Sequence, residues 1–364
     1  PKSQLVDALA WLTIPALLGP LVGPPIGGFI TTYYDWRWIF WMNIPIGLLG
    51  IGLATWLMHD TRIEAAPPLD ARGFLLSGLG LSALVFGFTV LGRDFLPGHT
   101  PSALIMLGAV CVALYLRDAA RVAEPILDLR LMRNPTFYAG VVGGSLYRVG
   151  VGAIPFLVPL LLQIGFGYSA FESGMLTCAA AVGAIAMKFS TARLLRRFGF
   201  RHLLVVNGAL SCAFMASYGL LSPVTATSLM IFVFLAGGFL RSLQFTAMNA
   251  LSYADIEKNE AGKATSLYTV AQQLSLSAGV AVAAAVLEIT QWARGDPTIV
   301  AEDFSIAFFC VALIAVFSVV PFAKLKPQAG ASVLGREIET GARPKQPSQN
   351  CLKRVFPRPC RNRW

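Results

Sequence analysis

The chain has 364 residues, of which 55% are hydrophobic and only 13% charged, with a mean hydropathy of +0.64. A soluble domain needs about twice that charged fraction to cover its surface, so the composition excludes an ordinary soluble protein. The net charge of +10 is no nucleic-acid footprint: residues 324–364 hold ten basic and two acidic residues, which leaves +2 on the rest and no basic face for a duplex.

A bilayer core is crossed by about 20 mostly apolar residues in helical form. Runs of that kind predict ten spans, at approximately 11–30, 38–58, 73–91, 102–116, 137–164, 170–190, 203–221, 228–251, 264–288 and 304–322. The fold class expected is therefore an all-α polytopic membrane protein. The fourth span is short and extends toward 117–119, and the fifth is long enough to tilt or bend near Pro155 and Pro159. No basic flank and cleavage site precede the first, so it does not read as a cleaved signal peptide.

Loop charges test the count. With residue 1 inside, the inner loops carry thirteen basic residues: Arg62, Arg72, Arg117, Arg121, Arg130, Arg133, Lys188, Arg193, Arg196, Arg197, Arg201, Lys258 and Lys263. The outer loops carry Arg37, Arg93 and Arg294. Basic loops are retained on the cytoplasmic side, so both termini are expected there. Adding or losing one span scrambles the pattern. Residues 124–136 alternate apolar and charged positions and read as an interfacial helix, or else as a plain connecting loop.

Catalytic and metal chemistry finds no foothold. Cys111, Cys178, Cys212 and Cys310 lie in apolar runs, where cysteine is a small buried hydrophobe. Cys351 and Cys360 have no neighbouring histidines, and His59, His99 and His202 are far apart. No metal, no cofactor and no enzymatic activity are expected.

The stretch from Gly19 to Gly28, GPLVGPPIGG, packs three prolines and four glycines into ten residues of a span. Small residues four apart let a neighbouring helix approach closely, and proline frees carbonyls and permits a kink. A generic small-residue face accounts for a GxxxG pattern but not for the added Pro-Pro-x-Gly-Gly. Beyond it, Trp36, Arg37, Trp38, Asn43 and Pro45 form an aromatic interfacial belt followed by residues that open the helix where it leaves the headgroups.

The first of these stretches resembles the antiporter motif g-x-x-x-G-P-x-x-G-G of the major facilitator superfamily, with Gly19, Gly23, Pro24, Gly27 and Gly28 on motif positions. The second, Trp36 to Gly47, resembles the sixth-helix entry of the fourteen-helix EmrB/QacA-type drug:proton antiporters. The resemblance runs through residues 5–323. Pro159 to Gln163, Gly167-Tyr168-Ser169 and Gly174 resemble the family's P-L-x-x-Q…GyS…aG run. The loop with Arg193, Arg196, Arg197, Gly199 and Arg201 is similar to its cytoplasmic G-x-L-a-D-r-x-G-r-r loop, except that Ala192 replaces the first glycine and Arg196 the aspartate. That aspartate's charge-relay role does not carry over, and a basic loop that anchors orientation is the simpler reading.

Two arginines lie within spans, where charge is costly unless it meets a partner or a wet cavity. Arg241 and Gln244 resemble the R-x-x-q-G motif, with Phe245 in place of the glycine. The resemblance implies proton coupling for Arg241; a hydrogen bond to carbonyls of a broken helix is the competing reading. Arg148 serves a cavity or an inter-helix contact, or snorkels. Glu172 and Glu288 lie near span ends, where an interfacial role suffices. Superposing Gly279 on Gly23 places Ser275, Ala283 and Ala284 against Gly19, Gly27 and Gly28, a faded internal repeat of the kind transporters contain.

The resemblance implies helices 5 to 14 of fourteen: two from a first bundle (1–58), a central pair (59–123), a six-helix bundle with the interfacial helix at its start (124–323) and a disordered basic tail (324–364). It also implies proton-gradient-driven export of amphipathic drugs from the inner membrane by alternating access. On that reading the first four helices are missing and the chain by itself is inactive. Expected partners are the lipid bilayer, a small amphipathic substrate and, as for such exporters in Gram-negative cells, a periplasmic adaptor and an outer-membrane channel. Export of one dedicated metabolite, or a non-transporting membrane fragment or assembly partner, are the alternatives.

Overall fold

The computed structural model describes residues 19, 22–57, 70–90, 99–119, 122, 127–257, 260–296 and 298–330; the start of the first expected span and the tail from residue 331 onward lie outside the described residues. The described residues form helices joined by turns, with no strand among them. In chain order these are α1 (22–33), α2 (Trp38–Leu57), α3 (Ala71–Val90), α4 (Thr100–Ala119), α5 (Pro135–Gly165), α6 (Ala170–Phe198), α7 (Phe200–Leu220), α8 (Thr227–Ala254), α9 (Ala261–Arg294) and α10 (Ala301–Ala323). Eight of them, α2 and α4–α10, are long and apolar enough to cross a membrane, and α3 contains a shorter apolar stretch. In hydrocarbon every backbone polar group must be satisfied within the protein, which these sequences achieve as helices.

Several helices outrun their apolar runs. α6 continues to Phe198 and α9 to Arg294, past the ends expected near 190 and 288. Hydropathy marks the lipid boundary, whereas the helical ladder ends where a residue breaks it. Gly199 and Gly295, with φ of 74° and 71°, supply those breaks. At the start of α5 the expected interfacial helix is a five-residue 3-10 turn, Leu129–Arg133, capped by Asp128 and leading through Asn134 into Pro135. Residues 124–126 lie outside the described residues.

Helices α5–α10 share one apolar core, to which each contributes buried side chains, among them Leu157, Met187, Leu204, Phe234, Leu287 and Phe308. Leu325 joins that core and Gly330 lies against the Phe200 ring, so the first residues of the expected disordered tail are packed. The reason is local: Leu325 is an apolar side chain just past α10 and is 5% exposed.

Glycines set the closest approaches. A Cβ on Gly238 would collide with the Ala180 carbonyl and one on Gly183 with that of Leu235, which joins α8 to α6. The same reciprocity joins α5 to α9: Gly152 abuts the Leu276 carbonyl and Gly279 that of Val149. Ser275, Gly279 and Ala283 are all buried on that side of α9, so the small-residue stripe of the repeat is a packing face. The α3–α4 hairpin closes similarly, with Gly108 against Leu84 and Gly80, and lies along α9, where Leu84 and Val85 face Leu274 and Ala278.

Helix α5 is irregular at both ends. A π-helical turn, Ala139–Gly143, precedes the regular part Gly144–Leu160, and a second, Leu161–Gly165, follows Pro155 and Pro159. Single π turns inside α-helices concentrate at functional sites.

Candidate functional site

The glycine-proline stretch lies at a seam between α1 and α6. Gly28 is buried, and a Cβ there would strike the Ala170 carbonyl. From the other side, a Cβ on Gly174 would run into the carbonyl of Pro24, at 2.9 Å from its carbon. The Thr32 hydroxyl accepts the Phe171 backbone N–H at 3.1 Å, and the Phe29 and Tyr33 rings each lie 6.2 Å from that of Phe171. Thr31 returns its hydroxyl to the carbonyls of Gly27 and Gly28. On the α6 side, Ser169 and Glu172 form a reciprocal capping box, which gives Glu172 a structural role as a cap. Gly19, Gly23 and Gly27 meet nothing within 4 Å among the described residues. Of the motif glycines, the seam uses Gly28.

The second motif lies on the surface of α2. Trp36, Trp38 and Trp41 are exposed, and Arg37 pairs with Asp35 at 3.2 Å while stacking over the Trp36 ring. The helix is interrupted at Met42 and resumes at Asn43, with Pro45 in its first turn, and Asn43 donates to the Ile39 carbonyl at 2.9 Å. That side-chain bond occupies a carbonyl in the turn that Pro45 weakens, which keeps the helix together. Helix α2 has no buried residue among those described.

Arg193, Arg196, Arg197 and Arg201 are all exposed around the α6–α7 turn, with Gly199 buried at its centre. Gly199 has φ 74° and ψ 166°, a region open essentially to glycine alone. Arg197 stacks on Phe198, and Phe198 on His202.

The deepest charge is Arg148, fully buried on α5. Its Nη2 donates to the Tyr268 hydroxyl of α9, and its guanidinium lies 4.6 Å from the centre of the Tyr268 ring and 5.6 Å from that of Phe245 on α8. Tyr268 in turn donates to Asn249 Oδ1 at 2.5 Å. Nε and Nη1 have no hydrogen-bond partner. Space for the guanidinium comes from Gly144, where a Cβ would lie 2.7 Å from Nη1. An arginine at mid-membrane costs about 3 kcal/mol, and here two aromatic faces and one phenol offset that cost without a carboxylate.

Gln244 is also fully buried, and it accepts from Asn207 Nδ2 at 2.9 Å and donates to the Leu204 carbonyl at 3.1 Å. It pins α8 to α7. Arg241, one turn earlier, is half-buried, and α8 runs unbroken from Thr227 to Ala254. The structure brings Arg148 and the α8 motif region together through Phe245, the residue that departs from the motif. Tyr268, Asn249 and Asn207 carried no signal of their own in the sequence.

The profile of the Major Facilitator Superfamily matches residues 1–280. The chain belongs to that superfamily. It is thus a multi-pass membrane transporter, in keeping with its all-helical fold and eight span-length helices. Among curated relatives, proteins provisionally named multidrug resistance protein MdtD are similar to it. That of Yersinia enterocolitica is 32% identical over 337 residues, covering 91% of this chain and 71% of the relative. That of Salmonella typhimurium is 32% identical over 330 residues, covering 89% and 69%.

Proposed function

We propose that the chain works in export: an inner-membrane efflux transporter for amphipathic compounds, operating by alternating access and energised by the proton gradient. The observation that carries this reading is the α1–α6 seam. There the antiporter-like stretch meets α6 backbone to backbone at Gly28 and Gly174, with the Thr32 hydroxyl and the Phe29 and Tyr33 rings meeting Phe171 beside them. Close backbone contact at glycines lets two helices stay close while they slide or tilt, which a rocking pair of bundles requires. The names of the MdtD relatives support efflux as the direction of transport.

In this reading the ten helices correspond to helices 5–14 of a fourteen-helix exporter, with α3–α4 as the central pair and α5–α10 as the second bundle. The shared core of α5–α10 and the separate α3–α4 hairpin support that division. The four exposed arginines around the α6–α7 turn support a cytoplasmic position for that end of the bundle.

Expression of the whole gene in a drug-hypersensitive host tests the proposal. Raised tolerance to one or more of a panel of cationic, neutral and anionic amphipathic compounds is expected, and lost on Gly174→Leu. Unchanged susceptibility to every compound, with the protein present in the membrane, contradicts it.

A further inference from the structure

Among the described residues the α5–α10 bundle holds one buried cation, with an exposed and a half-buried one, Lys188 and Arg241, on the helices around it. Arg148 is fully buried, and none of its hydrogen bonds goes to a carboxylate; Nε and Nη1 are unpartnered. On the neighbouring side of α8, Lys188 of α6 donates to the Thr246 hydroxyl at 2.9 Å. The Arg148 guanidinium and the Lys188 ammonium therefore address consecutive residues of α8, Phe245 and Thr246. Arg241, Phe245 and Asn249 follow at four-residue spacing and share one face of that helix. Asn249 is exposed there, and its hydrogen bond to Tyr268 links that face to the buried guanidinium.

An unpaired buried charge with free donors is expensive unless something completes it. The acidic groups on the elements around it lie elsewhere. Glu172 caps α6, Asp255 at the end of α8 accepts from Thr136, and Asp303 of α10 pairs with Arg294. The backbone beside the guanidinium is also irregular. Nη1 fills the space a Gly144 side chain would take, and directly before Gly144 lies the π turn Ala139–Gly143, a feature that concentrates at functional sites.

Resting on the transport reading above, we infer that Arg148, with Asn249 beside it, forms an oxyanion site. It takes the carboxylate, sulfonate or phosphate of an amphipathic organic anion, whose apolar body lies along the Phe245 ring. Tyr268 occupies the guanidinium when the anion is absent and yields to it, while Arg241 and Lys188 supply the surrounding positive field. This makes amphipathic anions a preferred substrate class of the α5–α10 bundle.

The test measures binding by the purified chain in phosphatidylcholine nanodiscs, using tryptophan quenching with three probes of equal size. These are 1-naphthoate, 1-naphthylmethanol and 1-naphthylmethylammonium. Naphthoate is expected to bind at least tenfold more tightly than either analogue. Arg148→Gln abolishes that preference, and Tyr268→Phe, which removes only the competing phenol, keeps or strengthens it. Should Arg148→Gln fail to fold, Tyr268→Phe still decides. Equal affinity for the three probes, or a Tyr268→Phe loss shared equally by all of them, overturns the site. Phosphatidylglycerol discs separate sources of the oxyanion: naphthoate binding weakened there in the parent but not in Arg148→Gln assigns the same site to a lipid headgroup. The drug-tolerance measurement stands apart. Export without charge preference removes the oxyanion site alone, and charge-selective binding without export removes the transport reading alone.

Discussion

Pro24 on α1 and Gly174 on α6 meet backbone to backbone, with the Pro24 carbonyl in the place a Gly174 side chain would take. The approach is possible because one partner has no Cβ. The other presents a main-chain carbonyl, that of Pro24, to the space this leaves. Gly28 repeats the arrangement one turn along α1, against Ala170.

Gly28→Val and Gly174→Leu are therefore expected to push the two helices apart, at a cost of about 1–3 kcal/mol for overpacking. Gly23→Ala and Gly27→Ala meet open space and leave the seam intact. Thermal unfolding of the purified chain in detergent checks this. Comparable losses for all four changes would show that the seam is not the feature these glycines serve.

Among the described residues Gly199 is the clearest backbone requirement. Its φ of 74° and ψ of 166° suit glycine, and the residue joins α6 to α7 without a longer loop. Gly199→Ala is expected to lose about 1–3 kcal/mol. Ala192→Gly, on the exposed side of α6, is expected to cost less than about 1 kcal/mol. Melting temperatures of the two variants decide between a conformational role for Gly199 and a merely small one.

Gln244 and Asn207 form a buried amide pair between α8 and α7. Polar pairs within membranes contribute about 0.6 kcal/mol on average and up to about 1.7. Gln244→Leu removes one of the two acceptors of Asn207 Nδ2, which keeps the Leu240 carbonyl, and the side-chain donor to the Leu204 carbonyl, and is expected to fall within that range. The double variant Asn207→Leu/Gln244→Leu is expected to be less destabilised than the two single losses added together. A strictly additive result would show that the two side chains do not act as a unit.

The sequence made the spans readable because hydropathy reports the lipid boundary directly. It misplaced helix ends at Phe198 and Arg294, because those ends depend on Gly199 and Gly295 rather than on the surrounding polarity. Gly28 was legible from its motif, but nothing local separates it from Gly23 and Gly27. Only the position of α6 decides which glycine is used. Arg148 stood out because a charge inside a span is rare. Its surroundings did not, since Phe245 and Tyr268 lie on helices far along the chain and neither residue type is unusual in a membrane helix. Gln244 was legible as part of a coupling motif, yet its hydrogen bonds show a structural pin. Spacing gives the register of a side chain and says nothing of which neighbour it meets.

The central claim is that the chain exchanges an amphipathic substrate for protons. Its most direct test is the pH gradient across everted membrane vesicles that contain the protein, followed with an acridine dye. Adding a transported compound is predicted to dissipate the acid interior, at a rate that saturates with its concentration and falls on Gly174→Leu. A gradient that no member of a neutral, cationic and anionic panel disturbs, in vesicles where the protein is inserted and folded, would contradict the account.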